Sequence, residues 1–419
     1  MEADLTTRTI KNIGFISTRI SGTDGVSLEI SKWAAVLERN GFRCYYFAGE
    51  LDQPSEVSHT CPAAHFFDPS IAELQKGLFG SKSRTASITA EVHRYREVLK
   101  KELYGFIEKY ELDCIIPENI LAIPMNVPLG LAVTEVIAET GIPTIAHHHD
   151  FSWERDRFLN GAADDFLAAA FPPVLPSMRH VVINSIAFEN LTMRRGVAPV
   201  LISNVYDFAN PPKEASAEEI TSLRRMAGVA EGDPMILQPT RIVPRKCIER
   251  AIDLAAALEM KKPLVVTSHS AGDEGSEYLA ALRDYAEMRH VELSCIDDSV
   301  SAVGRNTSFS FRSLYSAADF VTYPSGYEGF GNALLETVYY RRPLLVNRYP
   351  VFIRDIESVG FDFCLMDGLI NREIVAKVEE FLYIQDRRLE GIEKNYDLAR
   401  RFYSLEVLEK KLLSLINSF

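Results

Sequence analysis

The chain has 419 residues, 47% apolar and 25% charged, with a formal charge of −13. That is ample material for two core-forming domains, and the acidic balance excludes a broad nucleic-acid-binding surface. No apolar run reaches the roughly 18 residues of a membrane span.

Along the chain, short apolar runs alternate with helical patterns, which indicates α/β architecture with mainly parallel sheets. The run Ile13–Ser17 predicts the first strand, and the stretch Ile13 to Ile16 is too brief for a signal sequence. Ser21-Gly22-Thr23-Asp24-Gly25-Val26-Ser27 follows as a loop, read either as a phosphate-approaching turn or as an ordinary polar loop. It is not G-x-G-x-x-G, and the chain has no Walker sequence. Ser27–Arg39 predicts a helix with Leu28, Trp33, Val36 and Leu37 on its apolar face, ended by Gly41. Further strands are expected at Cys44–Ala48, Cys114–Ile116, Thr144–His147 and His180–Asn184. The basic residues between 74 and 110 are interleaved with glutamates and read as a solvated helix face.

His147-His148-His149-Asp150 is followed by Trp153, Arg155 and Arg157. Side chains alternate faces along a strand, so adjacent histidines do not readily converge on one ion, and no metal site is assigned. One histidine in a polar cleft, bonded to a sugar hydroxyl, fits better. His147, His148, Asp150, Trp153 and Arg155 are candidates for contacting a polar acceptor.

Ser203–Lys213, rich in turn residues, marks a domain join. Beyond it, strands are expected at Met235–Pro239, Pro263–Thr267, Val291–Ile296, Phe320–Tyr323 and Leu344–Val346, with helices at Ile248–Leu258 and Tyr278–Met288. Gln238-Pro239-Thr240-Arg241-Ile242-Val243-Pro244-Arg245-Lys246 lies between a strand and a helix, where Arg241 and Lys246 can converge on a diphosphate. In Glu328-Gly329-Phe330-Gly331-Asn332-Ala333-Leu334-Leu335-Glu336, two carboxylates bracket a glycine-rich turn and a helix start. At about 1.5 Å per helical residue they stand up to about 12 Å apart. The helix-start N–H groups between them suit an anion. Carboxylate, anion site and carboxylate match a nucleotide-sugar, which has hydroxyls at both ends and a diphosphate between. Leu405, Leu408, Leu412 and Leu415 predict a closing helix over Leu405–Ile416. Six scattered cysteines, Cys44, Cys61, Cys114, Cys247, Cys295 and Cys364, without a C-x-x-C pair, indicate reduced thiols and a cytoplasmic setting.

These residues resemble the retaining glycosyltransferases of family 4, with the GT-B fold of two Rossmann-like, doubly wound domains facing a central cleft. Glu328 to Glu336 is similar to the family's E-x7-E motif, and Arg241 and Lys246 keep the spacing of its diphosphate-binding pair. Ser203-Asn204-Val205-Tyr206-Asp207 resembles its junction segment, and Leu314-Tyr315-Ser316-Ala317-Ala318-Asp319 the stretch before its motif strand. Thr240, Ser203, Val205, the separated Gly22 and Gly25, and Ser268-His269-Ser270 depart from the family pattern.

The resemblance implies an acceptor-side domain over 1–205, a donor domain over 206–404, and a helix at 405–419 packing back on the first. It implies hexose transfer from a nucleotide-diphosphate sugar, GDP-mannose or UDP-glucose, to a small polar acceptor such as a sugar or glycoside, glucosylglycerate among them. Glu328 then binds donor hydroxyls, Gly329, Phe330, Gly331 and Asn332 approach through their backbone, and Glu336 binds the ribose. Arg241 and Lys246 stabilise the leaving diphosphate, His149 contacts the sugar, and Gly22 and Gly25 reach the donor. No tightly bound cofactor and no essential divalent metal are implied, and a homo-oligomer is compatible. A nucleotide-sugar epimerase and a non-catalytic sugar-nucleotide-binding protein stand as alternatives.

Overall fold

The computed structural model describes residues 10–22, 24–258, 260–262, 264–269, 277–296, 300–301 and 309–419. Its contacts divide the chain into two compact units. One runs to Asn204 and includes Glu406–Phe419, and the other is Val205–Leu405.

The first unit is built on seven parallel strands: β1 (Asn12–Ile16), β2 (Arg43–Ala48), β3 (Ser58–Thr60), β4 (Cys114–Pro117), β5 (Thr144–His148), β6 (Met178–Val182) and β7 (Val200–Leu201). Their order is β3-β2-β1-β4-β5-β6-β7. The chain winds outward from β1 in one direction, then returns to lay β4 on the other side. A crevice therefore opens at the carboxyl ends of β1 and β4. Strands β4 and β5 are buried along their whole length, as expected of a parallel sheet covered on both faces. Helices Ala86–Lys109 and Val127–Thr140 share one core through Leu99, Leu103 and Phe106 on one and Val133, Val136 and Ile137 on the other. The second of these starts where Asn126 caps Leu129 N–H at 3.0 Å, and it stops at Gly141, whose φ is +63°. Helix Leu405–Ile416 completes the unit. It buries Leu408 and Leu412 entirely, Arg39 meets Glu409 at 2.5 Å, and Lys411 donates to Leu201 O at 2.9 Å.

The second unit has β8 (Ile236–Arg241), β9 (Leu264–His269), β10 (Glu292–Cys295), a small separate pair β11 (Val300–Ser301) and β12 (Phe309–Ser310), then β13 (Phe320–Tyr323), β14 (Leu344–Asn347) and β15 (Cys364–Met366). The main sheet is parallel in the order β10-β9-β8-β13-β14-β15, so its reversal falls between β8 and β13. Ile236, Phe320, Leu345 and Phe381 form one core layer, and Ile248, Ile252, Val265 and Leu282 another.

The expected α/β class and two doubly wound units are what the chain forms. One strand is displaced: expected over His180–Asn184, it runs Met178–Val182, because Asn184 caps the next helix by accepting Ala187 N–H at 2.7 Å. Strands β3, β7, β11, β12 and β15 lie outside the expected set. Pro239 does not end β8, because a ladder irregularity between Gln238 and Arg241 accommodates it.

Candidate active site

In the second unit, the loops leaving β8 and β13 meet at the sheet reversal. The first makes a 3-10 turn at Pro244–Lys246 and enters helix Ile248–Ala257 through Cys247, held in left-handed backbone at φ +49°. This geometry turns Lys246 inward, where it is 8% exposed, and pairs its ammonium with Glu328 Oε1. Arg245 Nη1 donates to Glu328 Oε2 at 3.1 Å, and Gly326 N–H bonds Arg245 O at 2.9 Å, tying the two loops together. Burial would raise the Glu328 carboxyl, but Lys246 and Arg245 hold it below the usual carboxylate range. The Lys246 ammonium also lies 5.3 Å from the Tyr323 ring centroid, and the charge of Arg241, at the end of β8, reaches it as well.

Gly331 cannot be replaced without strain. Its φ is +122°, and a Cβ there would come within 2.5 Å of the Tyr349 hydroxyl. That hydroxyl in turn donates to Phe330 O at 2.6 Å. Among the described residues no side chain caps helix Asn332–Tyr339 at Gly331, and a helix start suits an anion. Gly329 and Asn332 flank this start half-buried. The Phe330 ring is 2% exposed and packs edge-on against Tyr403 at 5.4 Å, so its side chain is a packing group. On the next turn, Glu336 accepts from the Tyr315 hydroxyl at 3.0 Å. Lys246 is thus committed to Glu328 rather than held open beside Arg241, and Arg245 joins it, a contact the sequence reading did not assign.

In the first unit, the equivalent position after β4 is occupied by Glu118, which is wholly buried. His147 Nδ1 lies 3.0 Å and His149 Nε2 3.3 Å from its Oε2. Strand alternation sends His148 to the opposite face, where its Nε2 sits 3.0 Å from His180 Nδ1. His148 is therefore removed from the acceptor candidates. Burial would lower His149, but its bond to Glu118 and that carboxylate's charge raise it above the ordinary imidazole value. Burial holds His180 down at about 4, and burial together with His180 holds His148 well below its ordinary value. His147 stacks on Trp33 at 4.2 Å.

The ligand atoms of Glu118, His147 and His149 lie within 4.8 Å of one another, a spacing that could hold an ion. The reading that histidines here do not converge holds for adjacent ones but not for the alternate pair. Here Glu118 bonds both histidines, while His147 Nε2 is buried without a hydrogen-bond partner among the described residues.

Three other expectations change. Asp150 pairs with Arg155 and accepts from Asn119 Nδ2 at 2.8 Å, so those two charges serve each other. Trp153 stacks on Phe151 at 4.4 Å within a small cluster with Val182 and Leu191 and is a packing residue. The Gly22–Gly25 loop is not an open phosphate cradle. Asp24 accepts Val26 and Ser27 N–H at 3.1 and 3.2 Å, filling the helix start, and Asp52 takes Gly22 N–H at 2.8 Å. Thr23 of that loop, and Ser270, lie outside the described residues.

A cavity of about 140 Å³ opens beside β1 and β4, lined by Ser17, Arg19, Asp24, Glu118, Asn119 and Asn126 among others. A larger hollow of about 700 Å³, by Asp233, Lys261 and Glu380, lies at the amino-terminal edge of the second sheet. Ligand sites of parallel α/β units form at the opposite edge.

The family model of group 1 glycosyl transferases matches residues 219–397, which contain the whole Glu328 site. The mannosylglucosylglycerate synthase of Thermotoga maritima is 33% identical, with 95% of this chain and 97% of that protein covered. A glycosyltransferase structure from Rickettsia africae superposes with a TM-score of 0.67 at 12% identity, over 98% of each chain. Anabaena Alr3699/HepE, in complex with UDP-glucose, gives 0.65 at 13% identity, over 97% of this chain and 100% of that one. The fold is therefore GT-B, and the chain is a glycosyltransferase: it carries a group 1 glycosyl transferase domain and belongs to the family of the mannosylglucosylglycerate synthases.

Proposed function

We propose that this glycosyltransferase is a retaining family 4 enzyme moving glucose or mannose from UDP-glucose or GDP-mannose to a hydroxyl of a small polar acceptor such as glucosylglycerate, in the cytoplasm. The observation that carries this reading is buried Glu328, held between Arg245 and Lys246 beside the start of helix Asn332–Tyr339. The Anabaena complex with UDP-glucose supports the donor class, and the name of the Thermotoga relative supports the acceptor. Val205–Leu405 serves the donor, and the unit ending at Asn204 serves the acceptor.

In this reading, Glu328 receives donor-sugar hydroxyls and Glu336 the ribose. The backbone from Gly329 to Asn332 meets the phosphates. Arg241, Arg245 and Lys246 stabilise the charge that develops as the sugar C1–O bond to the diphosphate breaks. The acceptor oxygen bonds C1 on the same face, and its proton passes to the leaving phosphate oxygen. His149, paired with Glu118, contacts the sugar. Glu328 offsets one of the three positive charges, and the net charge that remains is what this reading sets against the diphosphate in place of a divalent ion. A screen of both donors against small glycosides, read as nucleotide release with NMR of the product's anomeric centre, tests it. Inverted product, or sugar conversion without acceptor, overturns it.

A further inference from the structure

We propose that Glu118 is a positioning residue for the transfer reaction: its carboxylate accepts the hydrogen bond of His149 Nε2 and so presents the other ring nitrogen, Nδ1, to a sugar hydroxyl. The inference rests on the reading above in which His149 contacts the sugar. Of the three groups gathered at the ends of β4 and β5, the side chains of Glu118 and His147 are 0% and 1% exposed, and that of His149 is 11%. His149 is thus the one with ring surface left to meet a ligand. It lies just beyond β5, at the carboxyl edge where parallel sheets place their ligands.

Burial would raise the Glu118 carboxyl, but His147 and His149 hold it below the usual carboxylate range, so it is an ionised group that only accepts. The ring nitrogen facing it must carry the hydrogen. For His147 that is Nδ1, at 3.0 Å, and for His149 it is Nε2, at 3.3 Å. In a histidine, the bond made by one ring nitrogen fixes the state of the other. His149 Nδ1 bonds to no described residue. It accepts when the ring is neutral and donates when the ring is charged, and a hydroxyl can answer either.

The backbone is fixed as firmly as the ring. Glu118 N–H bonds Ile16 O and Asn119 N–H bonds His147 O, both at 2.8 Å, so the end of β4 is tied to β1 on one side and β5 on the other. Asn119, in left-handed backbone at φ +60°, accepts the His149 N–H on its Oδ1 at 3.0 Å. His147 Nδ1 spans both Glu118 oxygens, at 3.2 and 3.0 Å, while its ring stacks on Trp33, which restrains the carboxylate from turning away from His149. A group held this way has little orientational freedom left to lose when it meets its substrate.

The test uses the full chain. Hexosyl transfer is read as kcat and donor KM, UDP and GDP binding by calorimetry, and the His149 ring by ¹⁵N NMR of histidine-labelled protein, assigned by the signal lost in His149→Ala. In wild type, Nε2 should carry a hydrogen whether or not Nδ1 does. Glu118→Gln keeps the shape but puts a donor beside the acceptor, so the two tautomers should mix. Its kcat should fall about tenfold or more, the worth of a hydrogen bond to a charged group, with nucleotide affinity unchanged within about twofold. Glu118→Asp, which keeps the charge on a shorter stem, should recover part of kcat. Glu118→Gln added to His149→Ala should lower kcat no further, because residues acting as one unit are not additive. A merely structural role would subtract from both backgrounds. A His149 ring with hydrogen on Nδ1 alone, an unchanged kcat in Glu118→Gln, or full additivity of the two substitutions overturns the proposal. The NMR readout needs no turnover. Wild type that transfers to no acceptor removes the transferase reading, while the tautomer still decides whether Glu118 sets the ring.

Discussion

Replacing Glu328 with Gln keeps the shape of the side chain and removes the charge on which the site is assembled. Glu328 is 7% exposed and Lys246 8%, so the variant leaves a buried ammonium without its counter-charge. Breaking such a pair from one side costs about 3–5 kcal/mol. Arg245 is 36% exposed and adds only about 0–1 kcal/mol, because water screens it. In a unit of this size each kcal/mol moves the midpoint by about 2–4 °C. Thermal denaturation followed by circular dichroism should therefore show a fall on the order of 10 °C for the second unit. The deficit should shrink as pH rises. An unpaired buried lysine has a depressed folded pKa and binds fewer protons folded than unfolded, so stability increases with pH. The double variant Glu328→Gln/Lys246→Met removes both charges and should recover most of the loss. A single-variant cost below about 1 kcal/mol, or a double variant no better than the single, would refute the claim that a buried charge pair organises this site.

The remaining predictions concern other parts of the two units. His180 has a folded value near 4 against an ordinary 6.5, so it binds fewer protons folded than unfolded between those limits. Stability should thus fall by on the order of 3 kcal/mol as pH drops from 6.5 to 4, and His180→Gln should flatten that slope in urea titrations at stepped pH. Gly331→Ala should cost about 1–3 kcal/mol from forced positive φ, with partial relief by Tyr349→Phe, read by denaturation; no cost would contradict the close approach of Tyr349. Glu336→Ala should raise donor KM about tenfold, as loss of a charged hydrogen bond does, with kcat little changed. Arg241→Ala should lower kcat about a hundredfold by removing charge stabilisation in the transition state. Unchanged steady-state kinetics in both variants would remove them from the site.

Much of this molecule can be read from residues alone, and what cannot has identifiable causes. Strands β4, β13 and β14 stand out because sheets covered on both faces require unbroken apolar runs. Edge strands β3, β7 and β15 run two or three residues and carry no such signature. Glu328 and Glu336 were legible because a glycine turn lies between them. Glu118 was not: one glutamate after Pro117 has no pattern around it. Its meaning depends on β4 lying beside β5, which sets Glu118 across from His147. Among Arg241, Arg245 and Lys246, composition cannot say which turns inward. The left-handed Cys247 after the 3-10 turn decides that.

The closing helix carries a consequence for biogenesis. Because Glu406–Phe419 belongs with the residues up to Asn204, the first unit is discontinuous, and the second is inserted within it. A ribosome must translate all of Val205–Leu405 before Leu408, Leu412 and Leu415 exist to cover their part of the first core. The second unit is therefore the first to have its full sequence available after it emerges. Until then the earlier-made unit lacks the helix that carries Leu408 and Leu412, both fully buried in the finished fold.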